Sequence, residues 1–277
     1  MTIAVVLMLA GAAPSLAETT ITITTNRVDC KVPPPDEVAP PATPNVSAGV
    51  QAAKNRKYAL ARANFAPLAA EGNAEAERAM GQLLMMDCTG LQDKDAAATW
   101  LTKAADAGDV MAAAQLGNAF MNGNGVAQDD NKAAPLLQRA ANAGNMQAQM
   151  NLGYLYFNGR GVPMDKYQGV AWSVKAGEQG APAALLNIAN AYWKGGALPQ
   201  DSRKALYYMF AALERSTGEQ RARFASTTNE ISRGMSAEDI RRASDRAKRW
   251  SPGPGSLSDV LDDAKDRQKE AARQASH

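Results

Sequence analysis

The sequence predicts an all-α solenoid, and three periodic features predict it. Glycine recurs at Gly72, Gly108, Gly144 and Gly180, and aspartate at Asp93, Asp129, Asp165 and Asp201, each with a step of 36 residues. Alanine keeps the same register twice, at Ala76, Ala112, Ala148 and Ala184 and at Ala104, Ala140, Ala176 and Ala212. A bulky column, Trp100, Leu136, Trp172 and Tyr208, stands just ahead of the second alanine column. These columns describe two helices per unit. Repetition at this length marks a chain in which each unit buries its apolar face only against its neighbours. The expectation is about four helix-turn-helix units of 36 residues, closed by a C-terminal pair of capping helices. Such an architecture moves the functional expectation from catalysis towards binding.

The N-terminal elements come first. An uncharged apolar run from Ile3 to Ala13 is followed by Pro14, Ser15, Leu16 and Ala17, the small-x-small form of a signal-peptidase site, so residues 1–17 read as a signal peptide cleaved after Ala17. A membrane anchor is the alternative, although the run is shorter than the roughly 20 apolar residues of a spanning helix. Residues 18–46 read as an extended segment: Thr20 to Thr25 suggests a short strand, and Pro33, Pro34, Pro35, Pro40, Pro41 and Pro44 cannot sustain a helix. A proline-rich ligand for another domain is a second reading of that stretch. The only two cysteines, Cys30 and Cys88, are expected to pair in an oxidising compartment, the alternative being two free thiols.

The solenoid is expected over residues 47–215, opening with Ser47 as a helix cap. In the third unit Ala148, Leu152, Leu155 and Tyr156 fall on one helical face and form core. Asn158, Gly159 and Gly161 end that first helix, and the Asp165 carboxylate caps the second, where it also meets the positive end of the helix dipole. Small residues at the alanine columns and Gly153 let the paired helix approach closely.

Two stretches carry a resemblance. They are Ala-Asp-Ala-Gly-Asp-Val-Met-Ala-Ala-Ala-Gln-Leu-Gly from Ala105, and Ala-Asn-Ala-Gly-Asn-Met-Gln-Ala-Gln-Met-Asn-Leu-Gly-Tyr-Leu-Tyr-Phe-Asn-Gly-Arg-Gly-Val-Pro-Met-Asp from Ala141. The pattern resembles the Sel-1-like repeat family over about residues 58–215. That resemblance implies a tetratricopeptide-like right-handed α-solenoid and a role in protein assembly or signalling. The edges depart from the pattern. Asp87, Cys88 and Thr89 replace Gly-x-Gly in the first unit, Ala197 replaces the second glycine in the fourth, and Ser216 ends the glycine column. The first loop is therefore expected to be held by something else, with the Cys30 bond as the candidate.

Beyond the repeats, residues 216–250 are expected to supply the capping helices, over Gln220–Arg233 and Ser236–Trp250. Arg221 to Arg249 holds eight basic and four acidic residues, which suits either an acidic partner or a solvated outer face. Residues 251–277 read as a linker and a charged, partly disordered tail, with a frayed charged helix expected from Leu257 to His277.

The inventory for chemistry is poor. The only histidine is His277, the last residue, which removes Ser-His-Asp, Cys-His and zinc-hydrolase arrangements. No serine has a lysine three residues later, so the Ser-x-x-Lys nucleophile is missing. The adjacent carboxylates Asp129 and Asp130, and Asp262 and Asp263, point in different directions on a helix. Gly123-x-Gly125 and Gly159-x-Gly161 lack the strand and Lys-Ser/Thr context of a phosphate loop. No catalytic residue, metal or cofactor is expected.

What remains is surface. In the geometry that the resemblance implies, the first helix of each unit lines the concave face, which would present Asn118 and Met121, then Met150, Asn151, Tyr154 and Phe157, then Asn187, Asn190, Trp193 and Lys194 as the partner-binding residues. Rings, methionines and amides together suit protein recognition. A second reading has Tyr154, Phe157 and Trp193 simply packing on neighbouring repeats. With 30 basic and 28 acidic side chains, the chain offers no field for nucleic acid. The expectation is a non-enzymatic scaffold, adaptor or periplasmic regulator in the periplasm or cell envelope. It would bind another envelope protein or a peptide segment and meet the membrane only through that partner. A glycan- or peptidoglycan-binding protein is the alternative.

Overall fold

The computed structural model describes residues 41–86 and 89–275. The expected signal peptide, the strand at Thr20–Thr25, Cys30, Cys88 and His277 lie outside them. Among the described residues there are thirteen α-helices and no strand. The chain divides into two units, the first ending at Asp109 and the second beginning at Val110.

The first unit holds α1 (Val46–Lys54), α2 (Tyr58–Ala70), α3 (Ala74–Met85) and α4 (Lys94–Asp106), each packed on the next as far as α4. Its opening cap is Asn45, not the expected Ser47. Asn45 has extended backbone and its side chain accepts the Ala48 N–H at 3.2 Å, which leaves Ser47 inside the first turn.

The second unit repeats the pattern with α5 (Val110–Asn122), α6 (Asp130–Asn142), α7 (Met146–Asn158), α8 (Lys166–Glu178), α9 (Pro182–Lys194) and α10 (Ser202–Arg215). The two periodic columns have separate physical origins. Gly72, Gly108, Gly144 and Gly180 turn the chain between pairs with φ of 84°, 95°, 87° and 90°, and at the first three a side chain would meet open space, so conformation and not room selects glycine. Asp93, Asp129, Asp165 and Asp201 each cap a second helix through the side chain. Each also donates its own N–H to the preceding helix, to the carbonyls of Leu84, Phe120, Tyr156 and Tyr192, at 2.9 to 3.0 Å. One aspartate therefore fixes both the start of its helix and the width of the loop before it.

The first loop keeps this closure without Gly-x-Gly. Thr89, buried, donates its hydroxyl to the Met86 carbonyl and accepts from Leu91 N–H, and Gly90 takes φ 68°. Within each pair, glycine again permits contact. A Cβ on Gly117 would lie 2.8 Å from Leu137 Cγ, and one on Gly81 2.7 Å from Leu101 Cγ.

The solenoid end is covered by α11 (Gly218–Ser232) and α12 (Ala237–Arg249), both packed on α10, as the expected capping pair. Ser236 opens α12 by accepting the Asp239 N–H while donating to the Asp239 carboxylate at 2.8 Å. After the linker, the charged helix expected as frayed is docked. Ser258–Ala275 form an 18-residue helix, α13, that packs against α8. Few large apolar residues are needed, because Leu257 and Val260 are fully buried and Ala264 nearly so. Leu257 sits over Gly177, and the linker is held by the Gly255 N–H donating to Glu178 at 2.7 Å.

Candidate binding face of the second unit

In the second unit α5 packs beside α7 and α7 beside α9, whereas α6, α8 and α10 make no comparable contact with one another. The first helices α5, α7 and α9 thus stand in one row. Their register, 36 residues per step, arranges nine side chains in three rows: Gln115, Asn151 and Asn187; Asn118, Tyr154 and Asn190; Asn122, Asn158 and Lys194. The result is seven amides around one aromatic ring, with one lysine and no carboxylate.

The two seams of this face differ. Between α5 and α7 the amides bond to each other: Asn151, only 6 % exposed, donates to the Asn118 side-chain oxygen and accepts from Gln147 at 3.1 Å. Asn122 and Asn158 turn back to the Asn118 and Tyr154 carbonyls of their own helices. Between α7 and α9 the Asn187 and Asn190 side chains are half-buried and make no hydrogen bond within the described residues. Tyr154 stands at the centre, 42 % exposed.

Tyr154 is nevertheless held. Arg160 forks onto Asp130, with Nε and Nη2 at 2.7 and 2.9 Å from its two oxygens, donates from Nη1 to the Tyr154 hydroxyl at 3.3 Å and lies 5.6 Å from its ring centre. The Asp130 bond, then that to Tyr154, raises the guanidinium pKa above its ordinary value. Sequence reasoning missed Arg160 and Asp130, which are 30 positions apart. The available signal was an arginine set between Gly159 and Gly161, a loop whose path is fixed by the same glycines.

The remaining expected face residues are distributed as follows. Asn118 and Met121 are half-buried, Asn151 is buried and Lys194 is exposed. Met150 packs partly on Ala176, Ala181 and Ala184. Phe157 and Trp193 are half-buried against the main core, Phe157 directly over Gly169, so packing on neighbouring helices accounts for both rings.

The carboxylates have structural partners. Asp129 caps α6 and Asp130 holds Arg160, while Asp262 pairs with Lys265 at 3.2 Å. Asp263 takes Lys204 and the Tyr192 hydroxyl. Among the described residues no group of three His, Cys, Asp or Glu could hold a metal ion, and no helix is long and apolar enough to cross a membrane.

The Sel1 repeat matches four times, over residues 74–109, 110–145, 147–180 and 182–216. The chain belongs to the Sel1 repeat family. Sel1 repeats are in general scaffolds for protein–protein interaction. A Sel1 repeat protein from Oxalobacter formigenes is similar in structure with a TM-score of 0.61 at 24% identity, over 80% of this chain and 99% of that one. The c5321 protein, a protective antigen of uropathogenic Escherichia coli with the same repeat fold, gives 0.65 at 23% identity over 82% of this chain. This chain spans only 48% of c5321. At such identities the likeness is one of fold. No protein of curated function matches the chain.

Proposed function

We propose that this Sel1 repeat protein is an exported, non-enzymatic adaptor or periplasmic regulator that holds another envelope protein, or a peptide segment of one, against the α5, α7 and α9 face. The observation that carries this reading is the α7–α9 seam. A fixed, exposed tyrosine stands beside two asparagines whose donors and acceptors are unused, on a face without carboxylates. An amide matches the paired N–H and C=O of a polypeptide backbone, and a ring held in place loses little entropy on contact.

The test is crosslinking of whole cell envelopes carrying the tagged full chain, with captured proteins identified by mass spectrometry. Wild type should capture a defined set, and Tyr154→Ala with Asn190→Ala should lose it while keeping the same unfolding curve. Equal capture by the folded variant would remove the function from this face. Export is checked separately: the mature protein should begin at Glu18 and carry no free thiol if Cys30 and Cys88 pair. An N-terminus at Met1 with two titratable thiols contradicts both.

The open Tyr154 ring among amides also suits a sugar face, which gives the second reading, a peptidoglycan-binding envelope protein. Co-sedimentation with purified peptidoglycan, lost in Tyr154→Ala, would favour it over the adaptor.

A further inference from the structure

We propose that the exposed turn between α1 and α2 docks the first unit on a membrane surface that carries anionic lipid headgroups. The contact is separate from the polypeptide face of the second unit, and either can fail without the other.

The first observation is charge. From Pro41 to Ala70 the chain carries Lys54, Arg56, Lys57 and Arg62 and no carboxylate; the nearest along the chain are Glu37 and Glu71. Glu71 follows the far end of α2, whose 13 residues span about 20 Å. Asp93 and Asp95 lie at the start of α4, which packs on α3. Lys54 to Lys57 are four consecutive exposed residues, and Arg62 is exposed as well. Among the described residues none of the four cations has an ion pair, a side-chain hydrogen bond or a ring contact. The charged helices of the second unit instead carry their own counter-charges: Arg242 pairs with Glu238 and Lys248 with Asp245 in α12, and Lys265 with Asp262 in α13.

The backbone at the centre of the turn is the second observation. Arg56 has φ 59°, and among the described residues no other residue but glycine has a positive φ. Its N–H donates to the Ala53 carbonyl at 3.0 Å, and the Lys57 N–H donates to the Ala52 carbonyl at 2.9 Å. Gly72 with Asn73 makes the same two bonds to Ala69 and Leu68, and Gly144 with Asn145 to Ala141 and Ala140. Arg56 thus stands where the repeat turns use glycine, in a left-handed conformation that is costly for a residue with a side chain. Packing does not demand the arginine, because its side chain is exposed. Strain of this kind persists where the side chain serves function.

Four unanswered cations call for several anions at once. The α1–α2 pair has no exposed large apolar side chain beside them, since Tyr58 and Phe65 are buried, so it lacks the anchors by which one protein recognises another. A membrane surface needs no such anchor. Headgroup phosphates move laterally to each cation, and every Lys or Arg adds a similar increment to adsorption. The compact ammonium of Lys54 and Lys57 and the fork of Arg56 and Arg62 both suit phosphate oxygens.

Co-sedimentation of the full chain with vesicles tests this, with phosphatidylglycerol mixed into phosphatidylcholine against phosphatidylcholine alone. The wild type should pellet with the anionic vesicles only, and should be released at about 1 M salt, where the screening length is roughly 3 Å. Arg56→Gly relieves the backbone and removes one charge. It should therefore resist urea at least as well as the wild type while binding about fivefold more weakly. Lys54→Gln, Arg56→Gly and Lys57→Gln together should weaken binding roughly a hundredfold, whereas Arg241→Gln, at an exposed position of α12, should leave it unchanged. Equal binding to neutral vesicles, retention at high salt, a glycine variant that binds like the wild type, or an equal loss in Arg241→Gln would each overturn the proposal. Arg56-dependent retention on immobilised polyglutamate by a chain that ignores anionic vesicles would assign the turn to an acidic polypeptide and overturn it too.

Discussion

The second unit builds two faces from the same repeats, and only one of them is covered. On the side of the second helices, α13 lies against α8 and meets the polar groups within its reach. Asp263 accepts from Tyr192 at 2.5 Å and pairs with Lys204, and Asp259 accepts from Tyr208 at 3.1 Å. Those two phenols are buried and stacked, with ring centres 5.7 Å apart and nearly parallel, so each buried hydroxyl finds a carboxylate. On the side of the first helices nothing within the described residues answers Asn187 or Asn190, and Tyr154 is fixed but uncovered. Polar side chains on the covered face complete the fold; those on the open face are available to a partner.

The largest effect should come from uncovering the covered face. A chain ending at Gly255 loses the burial of Leu257, Val260 and Ala264 together with both carboxylate contacts, and its second unit should be less stable by about 3–5 kcal/mol. Urea unfolding checks this. An unchanged midpoint would mean that α13 is an appendage and that the two faces are alike. Asp263→Ala alone should cost about 1–3 kcal/mol, because it leaves a buried phenol without an acceptor and Lys204 without its partner.

The same contacts give an alkaline limit. Burial first, and Asp263 next, raises the Tyr192 pKa above its ordinary 10.0, and burial with Asp259 does the same for Tyr208. A raised pKa in the folded state means that the contribution is complete below the unfolded value and is lost as pH climbs past it. Unfolding midpoints should therefore fall steeply above about pH 10, and Tyr192→Phe with Tyr208→Phe should flatten that fall. Equal slopes in both proteins would show that the phenols do not ionise on unfolding.

Much of this organisation is legible in the sequence, because a fixed step of 36 residues converts single residues into columns. The aspartate column reads as caps and the turn glycines as left-handed backbone, since both depend on local conformation. What is not legible depends on neighbours. Asn118 and Asn190 occupy the same column, yet one is bonded to Asn151 and the other has no partner, and nothing in their local sequence separates them. Phe157 and Tyr154 are three residues apart on one helix, yet Gly169 on α8 draws the first into the core and Arg160 holds the second out of it. The docking of α13, expected only as a frayed charged helix, was hidden for a related reason. Its docking uses two large apolar residues and two carboxylates, a set indistinguishable from a solvated charged helix until the tyrosines opposite are placed.

The smallest expected effect on stability is the one that bears most on function. Tyr154 is largely out of the core, and removing its ring takes away one 3.3 Å contact from a guanidinium that keeps both bonds to Asp130. Tyr154→Ala should therefore shift the unfolding free energy by no more than about 0.5 kcal/mol, while reducing capture of a face-bound polypeptide about tenfold. Arg160→Ala separates the two roles of this cluster. It should leave the ring present but free to rotate, so its binding loss should be smaller than that of Tyr154→Ala and should appear mainly as slower association, with dissociation little changed. Equal losses in both variants would mean that the arginine contacts the partner itself, and the tyrosine would then be one of two anchors and not the single fixed ring on an otherwise amide face.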